Sequence, residues 1–321
     1  MVLEVIATLF LGFSFISYVC RKYPQILYGD IKASGPVCLH ISHRGGAGEN
    51  LENTMKAFDH AASLGTDMFE IDCQLTKDEY VIVAHDNNLS RLCGEDILIS
   101  DTLFTNLPPL LCTQRLDFDH RFEITKNIPE EERKLLLLED LFKKYPKMPM
   151  NVDIKTNTPR LIEIVNQLVQ KYQREHITVW GNGSGSTTKN IRPANRKIYT
   201  LYSLPEILKT LLWYYTGLLP FMPLYANYYE IPMCSLFVER AETFPQRAGT
   251  WWLKIILSIL DPMMTNEKII THLKKRGVLT YFFVLNNEHE WKRALECGAS
   301  GIMTDFPSDL KSFLERNISG H

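Results

Sequence analysis

Eight short apolar runs, separated by helical stretches and loops, set the first limit on what this chain can fold into. They are read at 37–42, 67–73, 150–155, 177–180, 197–202, within 228–238, at 278–285 and at 301–303. Strands that alternate with helices argue for a parallel sheet, and eight of them argue for a closed (β/α)8 barrel of the TIM type. In that architecture the chemistry sits where strands end. His43, Glu70 and Asp72, Asp153 and Lys155, Asn286 and Asp305 all fall near the C-terminal ends of these runs.

The densest group lies between residues 37 and 91. Glu70 and Asp72 are two apart, so on an extended chain they share a face. His43 and Arg44 follow the first run, and His85 ends an extended return arm at 80–85 that makes a hairpin with the second. A lone acid at a strand end more often hydrogen-bonds a loop. Two on one face, with two histidines and an arginine at neighbouring ends, suit a metal-assisted site for a phosphorylated substrate.

The chain has 321 residues, 45% of them hydrophobic, enough for one large domain or two small ones. A net charge of −2, without a basic excess, argues against a nucleic-acid partner. Lys and Arg are scattered, and no run is long enough to act as an electrostatic tether. The seven cysteines include no C-x-x-C pair and read as core thiols rather than a zinc cage. No obligate protein partner is evident.

Residues 2–20 are apolar apart from Glu4, and Arg21-Lys22 follow at once. Nineteen residues at about 1.5 Å each just span a hydrocarbon core of about 30 Å. A cleaved signal peptide places its basic residues before the apolar run, so this order predicts an uncleaved single-pass anchor over 1–23. The basic pair votes for a cytosolic catalytic domain. A linker at 24–36 leads to a barrel over 37–317. Asn53 reads as the N-cap of a helix reaching Leu64 and stopped by Gly65, and Pro159 as the first turn of another. Residues 90–135 show no period and read as an insertion after the second strand, at the barrel mouth. The Gly/Ser stretch at 181–186 reads as a loop. Two further segments, 207–225 and 251–260, are strongly apolar and aromatic. Within the first, 207–219 is too short for a comfortable span and is followed by Pro220 and Pro223, so it reads as a membrane-facing helix or loop.

His43-Arg44-Gly45, Glu52-Asn53-Thr54, Gly65-Thr66-Asp67, Glu70-Ile71-Asp72, Thr76-Lys77-Asp78 and His85-Asp86 occur in that order, and together they resemble the glycerophosphodiester phosphodiesterase family. The stretch at 40–55 is most similar to the family's membrane-anchored vertebrate branch, which acts as lysophospholipase D. Leu51 departs from the proline common at that position. The resemblance implies a phosphodiester hydrolase with His43 and His85 as its acid/base pair. It assigns Glu70, Asp72 and Asp153 to one divalent cation, Mg2+ or Ca2+, with Asp153 standing where the family more often has Glu. Arg44 and Lys155 would bind the substrate phosphate, while Asn286 and Asp305 would orient ligands. Phe283 would line the pocket where the family often has Trp. The expected reaction is cleavage of a lysophospholipid to lysophosphatidic acid and free headgroup alcohol, at the endoplasmic reticulum or another intracellular membrane. A water-soluble glycerophosphodiester such as glycerophosphocholine is the rival substrate, and a non-catalytic lipid-binding barrel is the reading from another class.

Overall fold

The computed structural model describes residues 1–240 and 251–318. Eight parallel strands form the barrel: β1 (His40–Ser42), β2 (Met68–Leu75), β3 (Met150–Ile154), β4 (Thr178–Gly181), β5 (Tyr199–Thr200), β6 (Tyr228–Pro232), β7 (Leu279–Phe283) and β8 (Gly301–Thr304). They are hydrogen-bonded in the order β6-β7-β8-β1-β2-β3-β4-β5. A single parallel bridge between Leu201 and Tyr228 closes the ring. Outer helices bury one face each. Helix Pro159–Lys171, for example, turns Leu161, Ile162, Val165 and Val169 inward at helical spacing.

Register places the chemistry. Pairing of β2 with β3 sets Glu70 beside Asn151 and Asp72 beside Asp153. Pairing of β8 with β1 sets Thr304 beside Ser42, so that Asp305 and His43 leave the sheet together. Pairing of β1 with β2 matches Ser42 to Phe69, which brings His43 alongside Glu70. The opposite end is plugged. The hydroxyls of Tyr228 and Tyr281 both donate to the Pro36 carbonyl, at 2.9 and 3.0 Å. A Cβ on Gly35 would lie 2.0 Å from the Tyr228 hydroxyl, so only glycine lets the linker pass.

Local readings needed two corrections. The helix expected to start from Asn53 starts instead from Thr54, whose Oγ1 accepts from the Ala57 amide at 3.2 Å. Asn53 takes a left-handed backbone (φ 57°) and sends its side-chain amide to Asp72 at 3.3 Å. The expected loop at 181–186 already contains the start of helix Gly185–Ala194, whose buried face is Thr187, Thr188 and Ile191. Threonines on that face hide the apolar period. The sixth strand ends at Pro232, and Cys234–Glu239 is helical.

Helix Val2–Lys22 is the one helix among the described residues long and apolar enough to cross a membrane. Most of its length is exposed, but its end is seated on the barrel. Ser17 donates to the Gly217 carbonyl at 2.7 Å, Phe13 meets Phe221 with ring centroids 6.2 Å apart, and the Arg21 guanidinium lies 5.0 Å from the Tyr214 ring centre. From helix Glu267–Lys275, His272 Nδ1 donates to the Arg21 carbonyl and Lys275 Nζ to that of Lys22, both at 3.0 Å. The helix's last carbonyls are thus satisfied by barrel side chains, as a helix C-terminus requires.

Helix Leu204–Tyr215 is a barrel helix started by a Ser203/Glu206 capping box. It buries Ile207, Thr210, Leu211 and Tyr214 and exposes Leu204, Leu208 and Leu212. The exposed three recur every fourth residue and so form one stripe. Trp251, Trp252, Ile255, Ile256 and Ile259 on helix Trp251–Met264 are exposed as well. The two helices are tied where the Tyr215 hydroxyl donates to the Met263 carbonyl at 3.2 Å.

Candidate active site

At the C-terminal ends of the strands lies a cavity of about 220 Å³. His43, Arg44, Glu70, Asp72, Asp153, Lys155 and Phe283 line it, all of them singled out in the sequence. Asn286 and Asp305 act one step back. Asp305 accepts from His43 Nδ1 at 2.6 Å, and the Asn286 side chain donates to the other Asp305 oxygen at 2.8 Å. That pairing holds the His43 proton on Nδ1 and leaves Nε2 available, 3.8 Å from Glu70.

His85 stands one side chain away from the cavity-lining Arg44, with Asp117 between them. Its Nδ1 pairs with Asp86 at 2.6 Å, and its Nε2 stands 3.7 Å from Asp117. Asp86 is itself fixed by Arg91 at 2.6 Å. Both histidines therefore have a carboxylate on Nδ1 and a second carboxylate facing Nε2.

Arg44 is the hinge between these halves. Its backbone is left-handed (φ 50°), which turns its amide to Glu70 at 3.0 Å. Its buried guanidinium lies 3.1 Å from Glu52, 3.1 Å from Asp72 and 3.3 Å from Asp117. Arg91 shares Glu52 in a fork at 2.7 and 2.8 Å. Burial raises the Glu52 carboxyl, but Arg91 and Arg44 outweigh it and hold the group well below the usual range. Loss of either partner in such a buried pair leaves an uncompensated charge and costs roughly 3–5 kcal/mol.

Lys155 Nζ stands between Asp72 at 2.8 Å and Asp153 at 2.7 Å, and the Asn182 side chain donates to the other Asp153 oxygen at 2.7 Å. Burial opposes the Lys155 charge, but Asp153 and Asp72 raise its pKa. Burial likewise raises Asp72, yet Lys155 and Arg44 hold it below the ordinary carboxylate range. Glu70 behaves oppositely: burial, with Asp72 beside it, pushes its carboxyl up to about 8. Burial pushes Glu230, another lining residue, up to about 7.

Among the described residues no three His, Cys, Asp or Glu side chains stand close enough together to hold a metal. The expected trio of Glu70, Asp72 and Asp153 does not converge, because the Lys155 ammonium occupies the space between two of its members. The donor chemistry nevertheless fits a hard cation. Every candidate ligand is a carboxylate oxygen, no thiol lines the cavity, and Glu70 is a buried carboxyl that forms no ion pair with a Lys or Arg among the described residues.

Sequence reasoning missed four contributors. Glu230 is a lone acid in the run Tyr228-Tyr229-Glu230-Ile231, a signal visible in retrospect. Asp117 and Phe118 come from the turn between strands Thr113–Arg115 and Glu123–Thr125, inside the aperiodic segment at 90–135. Phe118 stands edge-on to His43 at 5.5 Å and to Phe283 at 6.1 Å, forming an apolar wall. Asn182, the fourth, sits in the stretch read as a plain loop.

The model of the glycerophosphoryl diester phosphodiesterase family matches residues 43–309. The chain is 42% identical over 303 residues to Lysophospholipase D GDPD1 of Rattus norvegicus, covering 94% of each. It is 33% identical over 302 residues to Lysophospholipase D GDPD3 of Mus musculus, covering 94% of this chain and 89% of that one. Its fold is similar to an Oleispira antarctica phosphodiesterase solved in complex with the product sn-glycerol-3-phosphate, with a TM-score of 0.60 and 17% identity over 87% of this chain and 97% of that one.

Proposed function

Because the chain belongs to the glycerophosphoryl diester phosphodiesterase family, we propose that its cavity cleaves the phosphodiester of a lysophospholipid presented by a membrane. One observation carries the choice of substrate. The stripe Leu204, Leu208, Leu212 starts two residues after Tyr202 of the cavity wall, and the helix that carries it ends at Tyr215, next to Tyr214 and Gly217, on which helix Val2–Lys22 is seated. A twelve-residue helix covers about 18 Å. An apolar path therefore joins the rim of the catalytic cavity to the base of a candidate membrane span. A soluble diester has no use for such a path, whereas a single acyl chain lying along it brings its phosphate to the cavity. Residues 1–23 are the anchor in this reading, 24–36 the linker and 37–317 the catalytic barrel.

Arg44 and Lys155 bind the non-bridging oxygens of the diester. His43 and His85 exchange protons through Nε2, one activating the attacking hydroxyl and the other protonating the departing alcohol. The attacking group is water or the substrate's own glycerol 2-hydroxyl, and the bond broken joins phosphorus to the headgroup oxygen. With water as the attacking group, lysophosphatidic acid and free choline or ethanolamine result directly; with the 2-hydroxyl, the headgroup alcohol leaves first and water then opens the cyclic phosphate to lysophosphatidic acid. Glu70, Asp72 and Asp153 would hold one Mg2+ or Ca2+ once the Lys155 ammonium gives way from between Asp72 and Asp153, and the ion would then supply positive charge to the phosphate oxygens.

Replacing Leu208 and Leu212 with glutamate tests the path. Burying one leucine contributes about 1.5–3 kcal/mol, so KM for vesicle-borne lysophosphatidylcholine is expected to rise about tenfold or more. Turnover of glycerophosphocholine should stay unchanged. Equal kcat/KM for the two substrates in the unmodified protein would defeat this reading in favour of a soluble-diester enzyme.

A further inference from the structure

Four of the scattered basic residues are brought together by the fold at a place outside the catalytic cavity. A second cavity, of about 480 Å³, lies where the end of helix Val2–Lys22 meets helix Glu267–Lys275. Arg21, Lys22, Lys268 and Lys275 line it, with His272 and the Tyr214 ring. Glu267 is its only acid, and none of these charged side chains forms an ion pair among the described residues. Arg21 Nε is buried without a hydrogen-bond partner. His272 is 2% exposed, gives its Nδ1 proton to the Arg21 carbonyl, and leaves Nε2 buried and unpartnered. Burial holds this imidazole down at about 4, so Nε2 presents a lone pair. Four unpaired cations around one cavity repel one another, and an anion entering it removes that cost.

We propose that this cavity binds the phosphate headgroup of an anionic membrane lipid. The proposal rests on the reading of Val2–Lys22 as a membrane span. Its 21 residues are about 30 Å long, so a cavity at its basic end lies at headgroup depth. Basic pockets against a membrane helix at that depth suit lipid phosphates. Exposed Tyr18 on the rim and Tyr214 in the wall are the aromatic type that settles at the interface. A phosphomonoester fits better than a diester, because its monoanion keeps a hydroxyl that can donate to His272 Nε2 and its dianion carries a second charge, and a diester offers neither. The seat thus lies between the anchor and the barrel, and a bound lipid fastens the two together.

Thermal unfolding of the full chain in detergent tests the proposal, with dioctanoyl phosphatidic acid, dioctanoyl phosphatidylcholine and glycerol 3-phosphate as probes. Phosphatidic acid should raise Tm in a saturable way, and phosphatidylcholine should not. In Lys22→Gln/Lys268→Gln the apparent affinity should fall about tenfold or more, since each basic group near a lipid surface contributes on the order of 1 kcal/mol. Lys275→Gln alone should weaken it in the same direction, and glycerophosphocholine turnover should be unchanged in both variants. The shift should survive in His43→Ala. Loss in His43→Ala but not in the lysine variants would put the lipid in the catalytic cavity and overturn the site. An equal, lysine-dependent shift with glycerol 3-phosphate would overturn the lipid source. Absence of any shift would overturn the proposal while leaving the catalytic reading intact.

Discussion

Replacing His43 with alanine is expected to lower turnover by about 10²–10⁴-fold, the usual contribution of a positioned general acid or base. The geometry says more than the residue type. His43 Nδ1 is held by Asp305 at 2.6 Å, and Asp305 by Asn286 at 2.8 Å. Asp305→Asn should therefore cost roughly 10–100-fold, as loss of an orienting partner does, with KM nearly constant. His85→Ala should match His43→Ala, and Asp86→Asn should match Asp305→Asn, because the two histidines share one arrangement. A substrate with an activated leaving group should partly rescue whichever histidine variant has lost the acid. Initial rates of headgroup release measure all of this. Unchanged rates in both alanine variants would mean that the chemistry is elsewhere.

Neutralising the carboxylates is the second large effect expected. Glu70→Gln, Asp72→Asn and Asp153→Asn each remove a charge without changing size, and each should lower turnover by about 10²-fold or more if a divalent cation neutralises the phosphate there. Excess chelator should have the same effect and added Mg2+ or Ca2+ should reverse it. Lys155 makes the outcome decisive. Its ammonium stands between Asp72 and Asp153, where it is a cation the protein already owns. If it alone neutralises the phosphate, chelator will leave the rate untouched while Lys155→Gln abolishes it. If a metal is required, chelator silences the enzyme, and Lys155→Gln keeps measurable metal-dependent turnover.

The barrel was legible because most strands lie in short apolar stretches with polar residues at or just beyond their C-terminal ends, and register then does the rest. Glu70 and Asp72 could be placed on one face from their spacing alone, and the pairing of β2 with β3 brings Asp153 beside Asp72. His43 and Asp305 lie 262 positions apart and no local pattern links them, yet both leave adjacent strands at matching height. What stayed hidden depends on tertiary placement. Asp117 and Phe118 sit in a short hairpin without hydrophobic period, and only the folded chain carries them to Arg44 and His43. Glu230 was concealed in a run whose limits were unclear, since the strand yields to a helix two residues after Pro232. The helix at Gly185 was masked by a Gly/Ser start and a threonine-rich buried face. The cationic cavity beside the anchor joins residues about 250 apart, which no one-dimensional charge count reveals.

A hoop is only as stiff as its weakest joint, and here that joint is identifiable. β5 is two residues long, and its contact with β6 is one bridge, Leu201 to Tyr228, helped by hydrogen bonds between Asn227 and Thr200. Opening free energies follow the density of such contacts, so the ring breathes first at this seam. Leu201 and Tyr202 form one lip of it and also part of the catalytic wall, with Leu204 two residues on. Crowding by a bulky ligand is therefore relieved on the side where an acyl chain would lie. The arc β1-β2-β3, which carries His43, Glu70, Asp72 and Asp153, keeps its shape while the far side gives.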